Sequence, residues 1–66
     1  SQTLLFEKLS KDENVVFNYL KEKEKALLDV ISIECDIPTH KLVAILLSLE
    51  LKGIIRPLPG KVFEIV

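Results

Sequence analysis

The most regular pattern of apolar positions lies in the second half of the chain. Four residues fall within about a third of a helical circumference at 100° per residue, as expected of a core-facing stripe: Leu42, Ile45, Leu46 and Leu49. Pro38 suits the first turn of a helix, Thr39 can cap it, and Gly53 is a common residue just after a helix ends. The pattern predicts a helix over residues 38–52.

The opposite side of this helix carries a second apolar stripe, where a surface helix would normally be polar. Val43, Leu47 and Leu51 recur there at a spacing of four, with His40 and Ala44 beside them. We call these five residues the outer face. A three-helix core cannot bury both stripes, so another polypeptide is expected to cover the outer face. The alternative is that residues 4–6, or strands near the C-terminus, cover it from within the chain.

Two further helices are predicted upstream. Ser10 and Glu13 match the S-x-x-E capping box, which starts a helix over residues 10–23. The alternating charges of residues 21–25 are expected to form its solvated end or a turn. Residues around Ala26 can form a short apolar strand before a second helix over residues 28–35, which Asp29 can cap or open. Asp36 tolerates the left-handed backbone that a helix-turn-helix turn requires.

Two strands are predicted after the long helix, over residues 54–58 and 61–66. Pro59 and Gly60 between them suit the two central positions of a type II turn. Three helices followed by a hairpin predict a mainly α fold with a small β-hairpin, the winged helix-turn-helix. The expected core consists of the apolar residues that face inward in this arrangement: Val16, Phe17, Leu20, Leu28, Ile31, Ile37, Leu42, Ile45, Leu46, Leu49, Ile55 and Phe63.

The chain is long enough for one small domain. Residues 1–9 show no clear hydrophobic period and are interpreted as a lead-in segment, with the winged-helix domain over residues 10–66. Apolar runs are too short to span a membrane and no signal peptide is visible, so a soluble protein is expected. Cys35 is the only cysteine, which fits a reducing cytoplasm.

Two stretches of the sequence resemble a known family: LSKDENVVFNYLK and ALLDVISIECDIPTHKLVAILLSLELKGIIRPLPGKVFEIV. They are similar to the C-terminal winged-helix domain of DNA-processing protein A, the DprA or Smf family. The strongest piece is L-x-L-E-L-K-G-x-x-R-x-L-P-G followed by the aromatic Phe63, with Ile37 and Pro38 opening the long helix. Asp36 stands where the family frequently has Gly.

The resemblance implies a bacterial protein of natural transformation that binds single-stranded DNA and helps to load the recombinase RecA onto it. In the family those activities belong to a Rossmann-like domain that precedes the winged helix. The present chain would then be a fragment of a longer protein, and no contact residue for single-stranded DNA or RecA can be assigned within it.

The charge balance argues against tight duplex binding. Nine Lys and Arg stand against ten Asp and Glu, for a net charge of −1, and neither sign forms a long block. A domain that holds duplex phosphates normally has a basic patch. Weak or no duplex binding is therefore expected. The alternative is an accessory nucleic-acid-binding role that uses four basic residues: Lys41, Lys52, Arg56 and Lys61.

Chemical motifs are sparse in this sequence. One His, one Cys and scattered carboxylates occur without a Gly-rich phosphate loop, so we expect no enzyme, metal site or cofactor. His40 is interpreted as a solvated or capping residue, and Cys35 as an inert residue on the core side of the second helix. The leading hypothesis is a non-catalytic protein-interaction module. Its partner would be the rest of the parent protein or a second copy.

Overall fold

The computed structural model describes residues 8–66 of the chain, and this part folds into three helices and three short strands. In chain order the elements of this part are α1 (Lys11–Lys23), β1 (Lys25–Leu27), α2 (Leu28–Cys35), α3 (Thr39–Leu51), β2 (Ile55–Leu58) and β3 (Val62–Ile65). The predicted fold class is confirmed: three helices carry a small antiparallel sheet as the wing. No helix in residues 8–66 is long and apolar enough to cross a membrane.

The capping box at the start of α1 is formed as predicted. The Glu13 amide donates to Ser10 Oγ at 3.1 Å, and Glu13 Oε1 accepts from the Ser10 amide at 2.8 Å. At the other end, Glu24 takes a positive φ of 73° and terminates the helix. Residues 21–25 are all exposed, so this charged stretch is solvated as predicted; it includes the end of α1, the cap residue Glu24 and the first residue of β1.

The turn between α2 and α3 contains Asp36 in the left-handed conformation, with φ 57° and ψ 46°, as predicted. Asp29 opens α2 from its first turn, which was one of its two predicted roles, while the N-cap position is Leu27 and no side chain bonds there. The predicted cap at Thr39 was wrong, because Thr39 is already the first residue of α3. The N-cap residue is Pro38, whose carbonyl accepts from the Leu42 amide at 2.8 Å.

The wing is a three-stranded sheet in the order β1-β3-β2, with both pairs antiparallel. The sequence predicted a hairpin and considered a short strand near Ala26, and the structure joins the two by pairing Ala26 with Phe63. Gly60 has a φ of 84°, as the second central position of a type II turn requires. Lys61 is also left-handed, with a φ of 61°, so β3 begins one residue later than predicted.

The core lies between the three helices and the inner side of the sheet. Its buried apolar residues are Val16, Leu20, Ile31, Ile37, Leu42, Ile45, Leu46, Leu49, Ile54 and Ile55. Three predicted members are only half-buried, because Phe17, Leu28 and Phe63 pack around its edge. Ile54 was missed, and it is buried because its amide donates to the Leu49 carbonyl at 3.1 Å and turns the chain inward after α3.

Leu46→Ala should lower the free energy of unfolding by about 2 to 5 kcal/mol, the cost of removing a large side chain from a packed core. Leu46 is only 2% exposed. Leu51→Ala on the same helix is the matched control, because Leu51 is 80% exposed and its removal should change stability by roughly 0.5 kcal/mol or less. Urea unfolding followed by circular dichroism measures both, and equal losses in the two variants would contradict the assigned core.

Candidate protein-interaction site

The outer face of α3 is exposed along its whole length. Val43, Leu47 and Leu51 are 51%, 54% and 80% exposed, and His40 and Ala44 are exposed as well. The strands of the wing leave these side chains open, so that form of internal cover is wrong. Residues 4–6, the other proposed internal cover, lie outside the described residues. Within residues 8–66, the core therefore buries one apolar face of α3 and leaves the outer face exposed.

A shallow groove continues the outer face toward the wing. It has a volume of about 200 Å³ and lies between α3, the start of α2 and β3. Val43 and Leu47 form one wall, Phe63 and Leu28 the other, and Leu46 and Glu50 complete the lining. Phe63 is half-buried because its ring borders this groove rather than filling the core. The apolar surface thus includes an aromatic side chain that the helical pattern did not reveal.

A buried carboxylate sets the orientation of α3. Glu13 of α1 is 7% exposed and accepts hydrogen bonds from three donors. Ser48 donates to Oε2 through its hydroxyl group, Lys52 donates to Oε1 at 2.9 Å, and the Ser10 amide donates to the same oxygen at 2.8 Å. Ser48 and Lys52 both belong to the C-terminal end of α3 and its cap, so these bonds hold that end against the start of α1.

The same donors shift the titration of Glu13. The Ser48 hydroxyl, then the Lys52 ammonium and then the Ser10 amide lower the pKa of Glu13 to about 2, against an opposing effect of burial. Each bond favours the ionised carboxylate over the protonated acid. The sequence pattern located Glu13 only as a capping residue. Its partners on α3 are 35 and 39 residues away, and no local pattern connects residues at that separation.

Three of the four basic residues considered for nucleic-acid contact are paired with carboxylates of this chain. Lys52 bonds Glu13 and its side chain is only 19% exposed. Lys41 lies 3.3 Å from Asp12, and Arg56 lies 2.7 Å from Glu64 on the neighbouring strand. Lys61 is exposed at the tip of the wing. A phosphate group would have to compete with these ion pairs, so the four residues do not form an open basic patch.

Two candidate groups remain, a histidine and a cysteine. His40 is exposed near the start of α3, and Cys35 is half-buried at the end of α2. Burial raises the pKa of the Cys35 thiol, and the nearby charge of Glu34 adds to that effect. In residues 8–66, no three or more His, Cys, Asp or Glu side chains are grouped so that they could hold a metal ion.

Comparison with known families identifies the domain. A family model described as the DprA winged helix domain matches residues 6–61, a range that includes all three helices and both β1 and β2. The chain belongs to the DprA winged helix domain family. The resemblance noted in the sequence is thereby confirmed. Comparison with curated proteins and comparison with solved structures found no match.

The low pKa of Glu13 predicts a specific loss of stability in acid. Between about pH 4.5 and pH 2 the unfolded chain binds a proton at this site while the folded DprA winged helix domain does not, so stability must fall as the pH falls. The difference in unfolding free energy between wild type and Glu13→Gln should shrink by about 3 kcal/mol from near pH 6 to pH 2, since one pKa unit is worth about 1.4 kcal/mol.

Urea unfolding at a series of pH values measures this difference. Glu50→Gln is the matched control, because Glu50 is an exposed carboxylate of α3 whose side chain has no hydrogen bond within residues 8–66. That variant keeps all the hydrogen bonds to Glu13, so it should still lose stability in acid. A Glu13→Gln variant whose stability falls in acid in parallel with that of the wild type would show that the hydrogen bonds to Glu13 do not stabilise the fold.

Proposed function

We propose that this chain is a non-catalytic protein-interaction module of a DprA-like protein, and that the outer face of α3 is its docking surface. The observation that carries the proposal is the exposure of Val43, Leu47 and Leu51 on the third helix. In DNA-reading helix-turn-helix proteins this side of the recognition helix carries polar side chains that bond to base edges. Aliphatic side chains at these positions cannot form such bonds.

Docking would be driven by the removal of these apolar side chains from water. Burying a large aliphatic side chain fully contributes roughly 1.5 to 3 kcal/mol, and the three are already partly shielded in the free domain. The adjoining groove beside Phe63 adds a concave surface into which a partner side chain can fit. A contiguous apolar surface of this kind on a small domain typically marks a protein contact.

The partner we propose is either the Rossmann-like domain of a DprA-like protein or a second copy of this chain. In the whole protein, binding of single-stranded DNA and loading of RecA during natural transformation would be carried out by the Rossmann-like domain in the cytoplasm. The winged helix would hold that domain or a second subunit in place. Family membership and the apolar outer face support this arrangement.

Leu47→Asp should abolish association through the outer face while changing the stability of the isolated domain by roughly 0.5 kcal/mol or less, as expected of an exposed position. Sedimentation velocity of the 66-residue chain measures association with a second copy. A parallel run with the Rossmann-like domain of a family member added measures docking within the parent protein. Val15→Asp is the matched control, because Val15 is an exposed apolar residue of α1 outside the outer face.

The results separate the possible coverings of the outer face. Association that is lost in Leu47→Asp and kept in Val15→Asp supports docking on another polypeptide. A large loss of thermal stability in Leu47→Asp without any change in association would instead indicate that the chain's own first residues cover this face. That outcome, or the absence of association in both sedimentation experiments, would overturn the proposal.

The competing role in nucleic-acid binding makes a different prediction. With a net charge of −1 and most of its candidate basic residues paired internally, the isolated domain should bind a random duplex no more tightly than about 10⁻⁴ M at physiological salt. Fluorescence anisotropy with a labelled duplex at two salt concentrations measures this. Micromolar binding that disappears in an Arg56→Glu, Lys61→Glu double variant would favour the wing as a DNA contact.

A further inference from the structure

The sheet of the wing has one edge that is suited to accept another strand. The strand order β1-β3-β2 leaves β1 and β2 at the edges. Beside β2, the Val66 amide donates to the Ile54 carbonyl, so these two residues form a hydrogen-bonded pair. Hydrogen-bonded and non-hydrogen-bonded pairs alternate along the antiparallel ladder, and Pro57 and Phe63 therefore form a non-hydrogen-bonded pair. The backbone groups of Pro57 consequently point away from β3, toward the open edge. Pro57 has no amide hydrogen, which blocks strand addition on that side. β1 contains no proline.

The register of β1 shows which backbone groups face outward. The Leu28 amide donates to the Lys61 carbonyl at 2.8 Å, and the Ile65 amide donates to the Glu24 carbonyl at 3.2 Å. Hydrogen-bonded and non-hydrogen-bonded pairs alternate along an antiparallel ladder, so Ala26 bonds toward β3. Lys25 therefore directs its amide and carbonyl groups away from the sheet, and Leu27 directs its amide outward. The Leu27 carbonyl is not available at the edge, because Leu27 is the N-cap residue of α2 and its carbonyl accepts the first hydrogen bond of that helix.

A groove of about 560 Å³ runs beside this edge. Leu27 and Val62 of the sheet form one side, and Tyr19 of α1 and Val30 of α2 form the other. Leu27 is 49% exposed and Val30 is 39% exposed, so apolar surface is available to an incoming side chain. The groove is open to solvent, so an extended chain can lie along it.

The charges around the groove favour an acidic occupant. Lys23 and Lys25 line it from α1 and β1, and Glu34 lines it from α2. Neither lysine forms an ion pair with any residue in the described part of the chain, whereas Lys41, Lys52 and Arg56 do. Among the side chains that line the groove, two ammonium groups stand against one carboxylate. Glu64, the cross-strand partner of Lys25, is itself paired with Arg56.

We infer that β1 and the adjoining groove bind an extended peptide of alternating acidic and apolar residues, which adds to the sheet as a fourth strand. The backbone of the peptide would bond to the amide and carbonyl of Lys25 and to the amide of Leu27. Lys25 lies on the opposite face of the sheet from Ala26, so the carboxylates of the peptide would lie on the face of Lys25 and its apolar side chains on the other face, toward Tyr19 and Val30. Backbone bonds provide affinity and the alternate side chains provide specificity in such strand addition. This surface is separate from the outer face of α3 and does not depend on the function proposed for it.

The probe is an acetylated and amidated hexapeptide in which glutamate alternates with valine, titrated into the ¹⁵N-labelled 66-residue chain. The amides of Lys25 and Leu27 should shift and saturate by about 1 mM peptide, and their hydrogen exchange should slow, whereas the Ala26 amide should be protected with or without peptide. Two control peptides test the mechanism. Replacement of glutamate by lysine tests the charge, and N-methylation of alternate residues removes the backbone donors but keeps the side chains.

Leu27→Pro tests the edge donor in the protein itself. Leu27 has a φ of −75°, close to the value of about −65° that proline imposes, so the fold should tolerate the change. Loss of its amide should weaken peptide binding about two- to tenfold beyond the effect of Leu27→Ala, which removes the same apolar contacts but retains the amide. Unfolding curves of both variants verify that they remain folded.

Several results would overturn this inference. These are the absence of saturable shifts, equal binding of the lysine or N-methylated control peptide, and equal affinities of Leu27→Pro and Leu27→Ala. A Leu27 amide that is already protected from exchange in the free chain would also overturn it, since the edge would then be occupied by another part of the same chain. Saturable binding with all three expected differences would establish strand addition at β1.

Discussion

The hydrogen bonds to Glu13 fix the rotation of α3 about its own axis. Ser48 and Lys52 lie on one flank of that helix, and both bond to a carboxylate that is anchored at the first turn of α1 by its own capping interaction. With that flank held against α1, Leu42 and Leu49 turn into the core and Leu47 turns to the outside. A buried carboxylate without these donors would be costly, so the arrangement penalises other rotations of α3.

This constraint matters because α3 is apolar on two sides. Burial of hydrophobic area alone discriminates poorly between the two stripes, since each offers aliphatic side chains at helical spacing. The polar flank between them, with Ser48 and Lys52, determines which stripe faces the core. It also removes Lys52 from the surface, since a side chain that neutralises Glu13 is not free to bind phosphate. One network therefore both exposes the apolar face and reduces the basic character of the domain.

The wing shows a related division between closed and open surfaces. Pro57 closes the β2 edge, while β1, only three residues long, presents the backbone of Lys25 and the amide of Leu27 beside an apolar groove. Short edge strands limit uncontrolled pairing with other chains. A short strand flanked by lysines and a groove can still accept a selected peptide, because the side chains around it add requirements that a random strand does not meet.

Local patterns in the sequence determined the helices, the Ser10 capping box, the left-handed Asp36 and the turn at Gly60, since each depends on residues within one or two turns of chain. They also determined which five residues form the outer face, because helical periodicity assigns a residue to a face without knowledge of the fold. The pairing of β1 with β3, the bonds from Ser48 and Lys52 to Glu13, and the contribution of Phe63 to the groove were decided by the tertiary structure. The strand pairing and the bonds to Glu13 join residues at least 35 positions apart, and the groove brings Phe63 beside residues of α3 from a different element of the chain. Such proximity depends on how all the elements pack together.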